Sequence, residues 1–230
     1  MTEIFFVTGT DTDVGKTLVT AALIEAAKKR NKIALGYKLV ASGVEFLSEG
    51  VFNRDVLSIK KHSSYPLKYG ECVCYQFDEA IAPHLAAGDL GVEINTAEFD
   101  QGIAHLLEMS PDYIFLEGAG GWMLPLSGNT FMSQWVCRKG YLVIMTVGAR
   151  LGALNHAVMT KMCVEQMGNR LAGYVINHVI PGMNHSAENG QWLRQYLTDV
   201  PLLGEIPFLE ARYTCDLSGY LNTDLLSSKP

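Results

Sequence analysis

No stretch of the sequence approaches the roughly 18 consecutive apolar residues that a membrane-spanning helix needs. The opening residues, MTEIFFVTGTD, lack the basic segment and long apolar core of a secretory signal, so the expected location is cytoplasmic. Like charges never run to five or six, and 18 Lys and Arg stand against 24 Asp and Glu, a net charge of −6. The basic footprint of a nucleic-acid binder is therefore missing, and neither nucleic acid nor membrane is an expected partner. The five cysteines, Cys72, Cys74, Cys137, Cys163 and Cys215, are odd in number and contain no C-x-x-C pair, which argues against a disulfide framework or a zinc site. They read as reduced core thiols, with Cys72 and Cys74 on one face if that piece is a strand. His62, His84, His105, His156 and His185 show no H-x-x-x-H or H-E-x-x-H spacing and are assigned structural or surface places.

What is present is an ordinary globular composition: 230 residues, 48% hydrophobic and 18% charged. The length suits one domain, 1–230, with a sizeable core. Apolar runs of strand length alternate with helix-like segments: IFFVTG then TLVTAALIEAAKK, IALGYK then RDVLSIKKH, followed by YIFLEG, YLVIMTVG and LAGYVIN with helical stretches between them. That alternation predicts an α/β fold, a mostly parallel sheet flanked by helices on both faces. YIFLE, YLVIMTV and LAGYVI are apolar on both parities, as strands covered on two faces are. The section from Val44 to Leu106 is the least regular, PLLGEIPFL reads as a short strand running into a loop, and 212–230 is expected to form a polar, mobile tail.

GTDTDVGKT, Gly9 to Thr17, has the spacing G-x-x-x-x-G-K-[ST] and sits between an apolar strand and a run of helix formers, the context a phosphate-binding loop requires. Its glycines allow a tight turn, its backbone N–H groups point inward, and the following helix adds its positive end. Lys16 would reach the terminal phosphates, and Thr17 would offer a hydroxyl to Mg²⁺, an ion that takes oxygen ligands and accompanies ATP. Glu117, ending the strand YIFLEG, is placed to complete such a site, since a second strand of P-loop proteins ends in an acid near the metal. Asp55 in FNRDVL is a second candidate, although a lone acid there is more simply a helix cap or a solvated charge. Lys38 and Ser42, in GYKLVASG, leave the second strand at the same carboxyl edge, where ligands bind in open α/β sheets. Trp122, directly after EGAGG, could pack over the metal loop or line the substrate channel, but reads more simply as core packing.

Taken together, GTDTDVGKT, GYKLVASG, the NRD around Asp55, LEGAGGW, VGARLGALNHA, YVIN and LLGEIP resemble the dethiobiotin synthetase family, in order and over nearly the whole chain. The resemblance implies an ATP- and magnesium-dependent cyclo-ligase with a P-loop NTPase-like fold. Such an enzyme converts 7,8-diaminononanoate and carbon dioxide to dethiobiotin through a carbamate and a carbamic-phosphoric anhydride. It also implies roles. Lys38 and Lys16 are the catalytic cations; Thr17, Asp55 and Glu117 hold the metal; Thr12, Asp13 and Ser42 face the diamine. Nucleotide contacts fall to Asp13, Val14, Gly15, Lys16, Thr17 and Leu18, to Asp55, to Glu117, Gly118, Ala119 and Gly120, to Asn177 and His178, and to Ile206, Pro207, Phe208 and Glu210. Asn177 would read adenine. A homodimer is implied, in which the substrate's carboxylate tail crosses to the neighbouring subunit's Gly152, Ala153, Leu154 and Asn155, at a helix start with free N–H groups.

Three positions depart from the family pattern. Leu39 stands where proline is common, Asp13 where glutamate is common, and His178 where an aspartate commonly follows the adenine-reading asparagine. A neutral imidazole has one acceptor, so His178 weakens the expected discrimination among bases. The two acids of the loop are assigned different tasks: Asp13 faces the amines, and Asp11 orders the loop by bonding its own backbone. A rival class, the nucleotide switches that partition chromosomes or position septa, carries a lysine after the loop's first glycine, where this chain has Thr10.

Overall fold

The computed structural model describes residues 1–48, 50–210 and 215–226. Seven parallel strands form one sheet: β1 (Glu3–Gly9), β2 (Ala34–Ser42), β5 (Val73–Phe77), β6 (Tyr113–Gly121), β7 (Leu142–Ala149), β8 (Leu171–His178) and β9 (Leu202–Ile206), in the order β5-β2-β6-β1-β7-β8-β9. A separate antiparallel hairpin, β3 (Glu45–Leu47) with β4 (Gly50–Phe52), leaves the sheet after β2. The helices are α1 (Lys16–Lys29), α2 (Arg54–His62), α3 (Pro83–Asp89), α4 (Thr96–Glu108), α5 (Met132–Lys139), α6 (Ala153–Gln166) and α7 (Ser186–Tyr196). Parallel pairing needs crossovers, and the helices that make them cover both faces of the sheet.

Consecutive strand residues point to opposite faces, so Phe5 and Phe6 enter different layers. Phe5, Val7, Phe115 and Ile144 pack with Leu23 and Ile24 of α1. On the other face Phe6, Leu35, Tyr37 and Leu116 pack with Phe99 and Ile103 of α4 and Trp135 of α5. Gly36 is needed where α1 and α2 meet the sheet, because a Cβ there would lie 2.9 Å from both Ile24 and Ile59. Trp122 is 3% exposed, stacks edge-on against Phe6 and donates to Met167 Sδ at 3.3 Å, so it is a core residue.

The irregular middle of the sequence resolves into short pieces: the β3–β4 hairpin, α2, a 3-10 turn at Tyr69–Glu71, β5, α3 and α4. Cys74 belongs to β5, Cys72 precedes it and is fully buried, and all five cysteines are free thiols. Within the stretch expected to be a mobile tail, residues 215–226 are packed. Leu217 and Leu221 are buried, Leu217 N donates to Glu25 Oε2 at 2.8 Å, and Asn222 N donates to Leu203 O at 2.8 Å. Their apolar residues recur too sparsely for the sequence to show it. The rest of that tail, 212–214 and 227–230, lies outside the described residues.

Candidate active site

The order of strands reverses around β1: from β1 the chain runs to β2 and β5 on one side, returns to β6 beside β1, and then continues on the other side through β7, β8 and β9. Ligands of open α/β sheets bind at the carboxyl edge beside such a reversal, and the loop Gly9–Thr17 leaves β1 there. Gly15 caps α1 at φ 84°, and a Cβ on it would sit 2.1 Å from Asn177 Nδ2, so glycine is required twice over. Asp13 also has positive φ, 56°, and is exposed. Asp11 orders the loop as its position suggested, with Oδ1 accepting from Thr12 N at 2.7 Å. Its other oxygen is taken by Arg150 Nη2 at 2.5 Å, a partner the sequence did not single out.

Register brings the charged centre together. Lys38 of β2 is directly paired with Glu117 of β6, so the two side chains leave neighbouring strands on the same face. Lys38 Nζ lies 2.5 Å from Glu117 Oε1 and 2.7 Å from Asp55 Oδ2, with Lys38 and Glu117 buried and Asp55 partly exposed. Thr17 Oγ1 donates to Glu117 Oε1 at 2.7 Å. Asp55 is held by Asn53, whose Oδ1 accepts from Asp55 N at 2.9 Å and Val56 N at 3.3 Å, and whose Nδ2 donates to Gly43 O at 2.6 Å. Asn53 thus ties the end of β2 to the start of α2.

The electrostatics follow from burial and from these pairs. Burial presses the Lys38 ammonium toward losing its proton, but Glu117 and Asp55 outweigh it and hold the group above its ordinary range. Burial raises Glu117, against the pull of Lys38, and leaves it above the usual carboxylate value. For Asp55 burial acts upward too, yet Lys38 prevails and the carboxyl stays low. Lys16 has no such direct partner among the described residues: its Nζ donates to Asp11 O at 3.1 Å, and burial, with the charge of Lys38, pushes it down to about 8. Among the described residues Glu117 Oε2 and Ser42 Oγ are buried without a hydrogen-bond partner, so both keep capacity for a ligand.

These groups open into one cleft of about 910 Å³. Of the residues singled out in the sequence, Thr12, Asp13, Gly15, Lys16, Thr17 and Leu18 line it from the loop, and Lys38, Ser42 and Asp55 from the β2 side. Glu117, Ala119 and Gly120 line it from β6. Val40 joins Lys38 and Ser42 because alternate strand residues share a face. Missed in the sequence were Ala80 to Pro83 at the start of α3, Leu124 after β6, Val179 and Ile180 after β8, and Arg150 after β7. Only Arg150 sits in a stretch that carries the resemblance, VGARLGALNHA, and no ligand role attaches to it there.

Other expected residues stand off the cleft wall. Val14 and Gly118 are buried beneath the loop, and a Cβ on Gly118 would strike Phe6 at 2.7 Å. Asn177 is 3% exposed: Nδ2 donates to Val14 O at 2.8 Å and Oδ1 has no partner among the described residues. In this state its amide supports the loop instead of presenting an edge to a base. His178 has both ring nitrogens engaged, Nε2 with Glu205 Oε1 at 2.6 Å and Nδ1 with Ser186 Oγ at 3.1 Å, while Arg194 pairs with the other oxygen of Glu205. Ile206 is buried at the end of β9, and Pro207, Phe208 and Glu210 follow it at least partly exposed. Gly152 caps α6 at φ 91°, Gly152 and Asn155 are exposed, and Ala153 and Leu154 turn inward. None of the four lines this chain's own cleft.

A family profile described as an AAA domain matches residues 3–212. An ATP-dependent dethiobiotin synthetase BioD of Tolumonas auensis is 42% identical over 227 residues, 98% of this chain and 100% of that protein. The ATP-dependent dethiobiotin synthetase BioD 1 of Escherichia coli K12 is 40% identical over 227 residues, 98% of this chain and all of its own length. Among solved structures, a ParA-family ATPase of Chlorobium tepidum aligns over 100% of this chain and 95% of its own at a TM-score of 0.56 and 11% identity. The septum site-determining protein MinD of Pyrococcus horikoshii, complexed with Mg-ADP, aligns over 98% and 89% at a TM-score of 0.55 and 17% identity. At such low identity these last two speak for the P-loop NTPase fold alone. Similarity at 40% and above over essentially full length is a different matter, and the chain belongs to the ATP-dependent dethiobiotin synthetase family.

Proposed function

We propose that the chain is an ATP- and Mg²⁺-dependent cyclo-ligase of biotin biosynthesis that closes the ureido ring of dethiobiotin from 7,8-diaminononanoate and carbon dioxide in the cytoplasm. The observation that carries the reading is the buried Lys38 beside a phosphate loop, joined to Glu117 and Asp55 at the wall of the 910 Å³ cleft. Among the described residues no helix is long and apolar enough to cross a membrane.

One substrate amine attacks carbon dioxide and loses a proton, giving a carbamate. A carbamate oxygen attacks the γ-phosphorus of ATP, the bond to ADP breaks, and a carbamic-phosphoric anhydride forms. The second amine attacks the carbonyl carbon, loses a proton, and phosphate leaves with the C–O bond. Every species after the first step is anionic, so the site must gather positive charge without protonating the amines. Lys16 and Lys38 supply it: Lys38 stays an ammonium because of its carboxylates, and can stabilise charge developing on the transferring group. Ser42, with a free buried hydroxyl, and Thr12 and Asp13, on the exposed loop, face the diamine. In this reading Asn177 and His178, with the 206–210 segment, serve the base once the Asn177 amide leaves Val14.

The donor set fits magnesium. Among the described residues no three His, Cys, Asp or Glu converge into a cage, but Mg²⁺ is usually held by one or two carboxylates together with substrate phosphates and waters. Thr17, Asp55 and Glu117 would hold it, with Glu117 Oε2 open to a ligand. The ion supplies charge neutralisation on the phosphates.

A homodimer is part of the proposal. Leu151, Met159 and Met162 are 94%, 60% and 59% exposed, and Asn155, Met159 and Met162 share one stripe of α6 beside the exposed helix start at Gly152. A second copy covering this stripe would bring that helix start to its neighbour's substrate tail. The test is purified protein with ATP, Mg²⁺, bicarbonate and the diamine, following ADP and dethiobiotin together. ADP release that ignores the diamine, with no ureido product, would sink the reading.

A further inference from the structure

An acid between the glycines of a phosphate loop opposes the polyanion that the loop receives. Asp11 has a structural reason to be there. Strand β7 pairs with β1 up to Gly9↔Thr146, and Thr10 N continues the ladder onto Thr146 O at 2.9 Å, so the two chains emerge side by side. Arg150, just past the end of β7, reaches back over the loop: its Nη2 meets Asp11 Oδ2 at 2.5 Å and Thr12 O at 3.4 Å. Asp11 distributes that anchor, since its Oδ1 holds Thr12 N and its carbonyl accepts from Lys16 Nζ. His156 of α6 stands 3.9 Å from the same carboxylate.

We propose that Asp11 and Arg150 form a positioning pair that holds the phosphate loop in its binding geometry before nucleotide arrives. This rests on the nucleotide reading of the loop. A loop with two positive-φ residues, Asp13 and Gly15, has conformational freedom to lose on binding, and an anchor from the neighbouring strand end removes part of that loss beforehand. The pair is partly exposed, 31% and 43%, so its effect is modest, about two- to fivefold in affinity.

The sign of one substitution separates this from simple electrostatics. Removing a negative charge beside phosphates should tighten their binding, whereas removing an anchor should weaken it. Calorimetric titration of Mg-ADP into wild type, Asp11→Asn, Arg150→Gln and the double variant at fixed ionic strength reads both. The expectation is a roughly two- to fivefold weakening for each single variant, a double variant no weaker than the singles, partial recovery in Arg150→Lys, and a rise in KM for ATP that exceeds the fall in kcat. Tighter or unchanged binding in Asp11→Asn, or additive losses in the double variant, would overturn the proposal. A large loss in Arg150→Gln alone would mean that Arg150 contacts the ligand itself, and would overturn it as well. Lys16→Ala is the control: if it binds Mg-ADP like wild type, the nucleotide reading of the loop fails; if it loses binding while Asp11→Asn does not, only the positioning pair fails.

Discussion

Replacing Lys38 with methionine removes the cation from a buried carboxylate and leaves Glu117, at 0% exposure, with one hydroxyl donor from Thr17 and no counter-charge at bonding distance. Each ion pair, at 2.5 and 2.7 Å, is worth roughly 6 kcal/mol of attraction at an effective dielectric of about 20, most of it offset by desolvation. Breaking one side of such a pair costs about 3–5 kcal/mol, because the remaining charge stays buried. Protonating Glu117 relieves this. From the ordinary carboxyl value of 4.5 that costs about 5 kcal/mol at pH 8 and about 2 at pH 6, near 1.4 kcal/mol per unit. In the variant the folded-state pKa of Glu117 lies further above its unfolded value, so the relief is present at low pH and lost as pH rises. The loss of stability relative to wild type should therefore grow from pH 6 to pH 8, and Lys38→Met with Glu117→Gln should recover most of it. Urea unfolding with chelator present measures all three proteins. A loss below about 1 kcal/mol that does not vary with pH would refute the claim that Lys38 neutralises a buried carboxylate.

Asn53→Ala removes the cap of α2 and its tie to Gly43, so unfolding should show a loss of about 1–2 kcal/mol, together with a higher Mg²⁺ requirement as Asp55 loses its hold. Cys72 is fully buried and burial pushes its thiol up to about 12, so at pH 8 it should resist alkylation until the protein unfolds, as peptide mass mapping would reveal. A charge on the α6 stripe, as in Met159→Lys with Met162→Glu, should shift sedimentation toward monomer while circular dichroism shows the fold of the single chain retained, since both side chains are exposed in it.

The sheet and its main helices were legible because buried parallel strands are long apolar runs: YIFLE, YLVIMTV and LAGYVI correspond to β6, β7 and β8. The phosphate loop, Lys38, Ser42, Asp55 and Glu117 were legible as chemistry at strand ends and a helix start, and they converge on one cleft. What joins Lys38 to Glu117 was not, because β6 enters between β2 and β1 and no local pattern encodes that order. The β3–β4 hairpin and α3 were missed because three- and seven-residue elements carry too few periods. Arg150 and Asn53 were passed over for a related reason: a lone arginine or asparagine in a loop gains meaning only from what lies across space.

Attack of a carbamate oxygen on the γ-phosphorus of ATP, at the cleft beside Lys16 and Lys38, is the step that defines the proposed reaction. Turnover started with oxygen-18-labelled bicarbonate and carbon dioxide, and quenched before the label exchanges with water, tests it through the mass of the released phosphate. The mechanism predicts one labelled oxygen in each phosphate and one dethiobiotin per ADP. Phosphate carrying no label, from reaction in which dethiobiotin still forms, would contradict it.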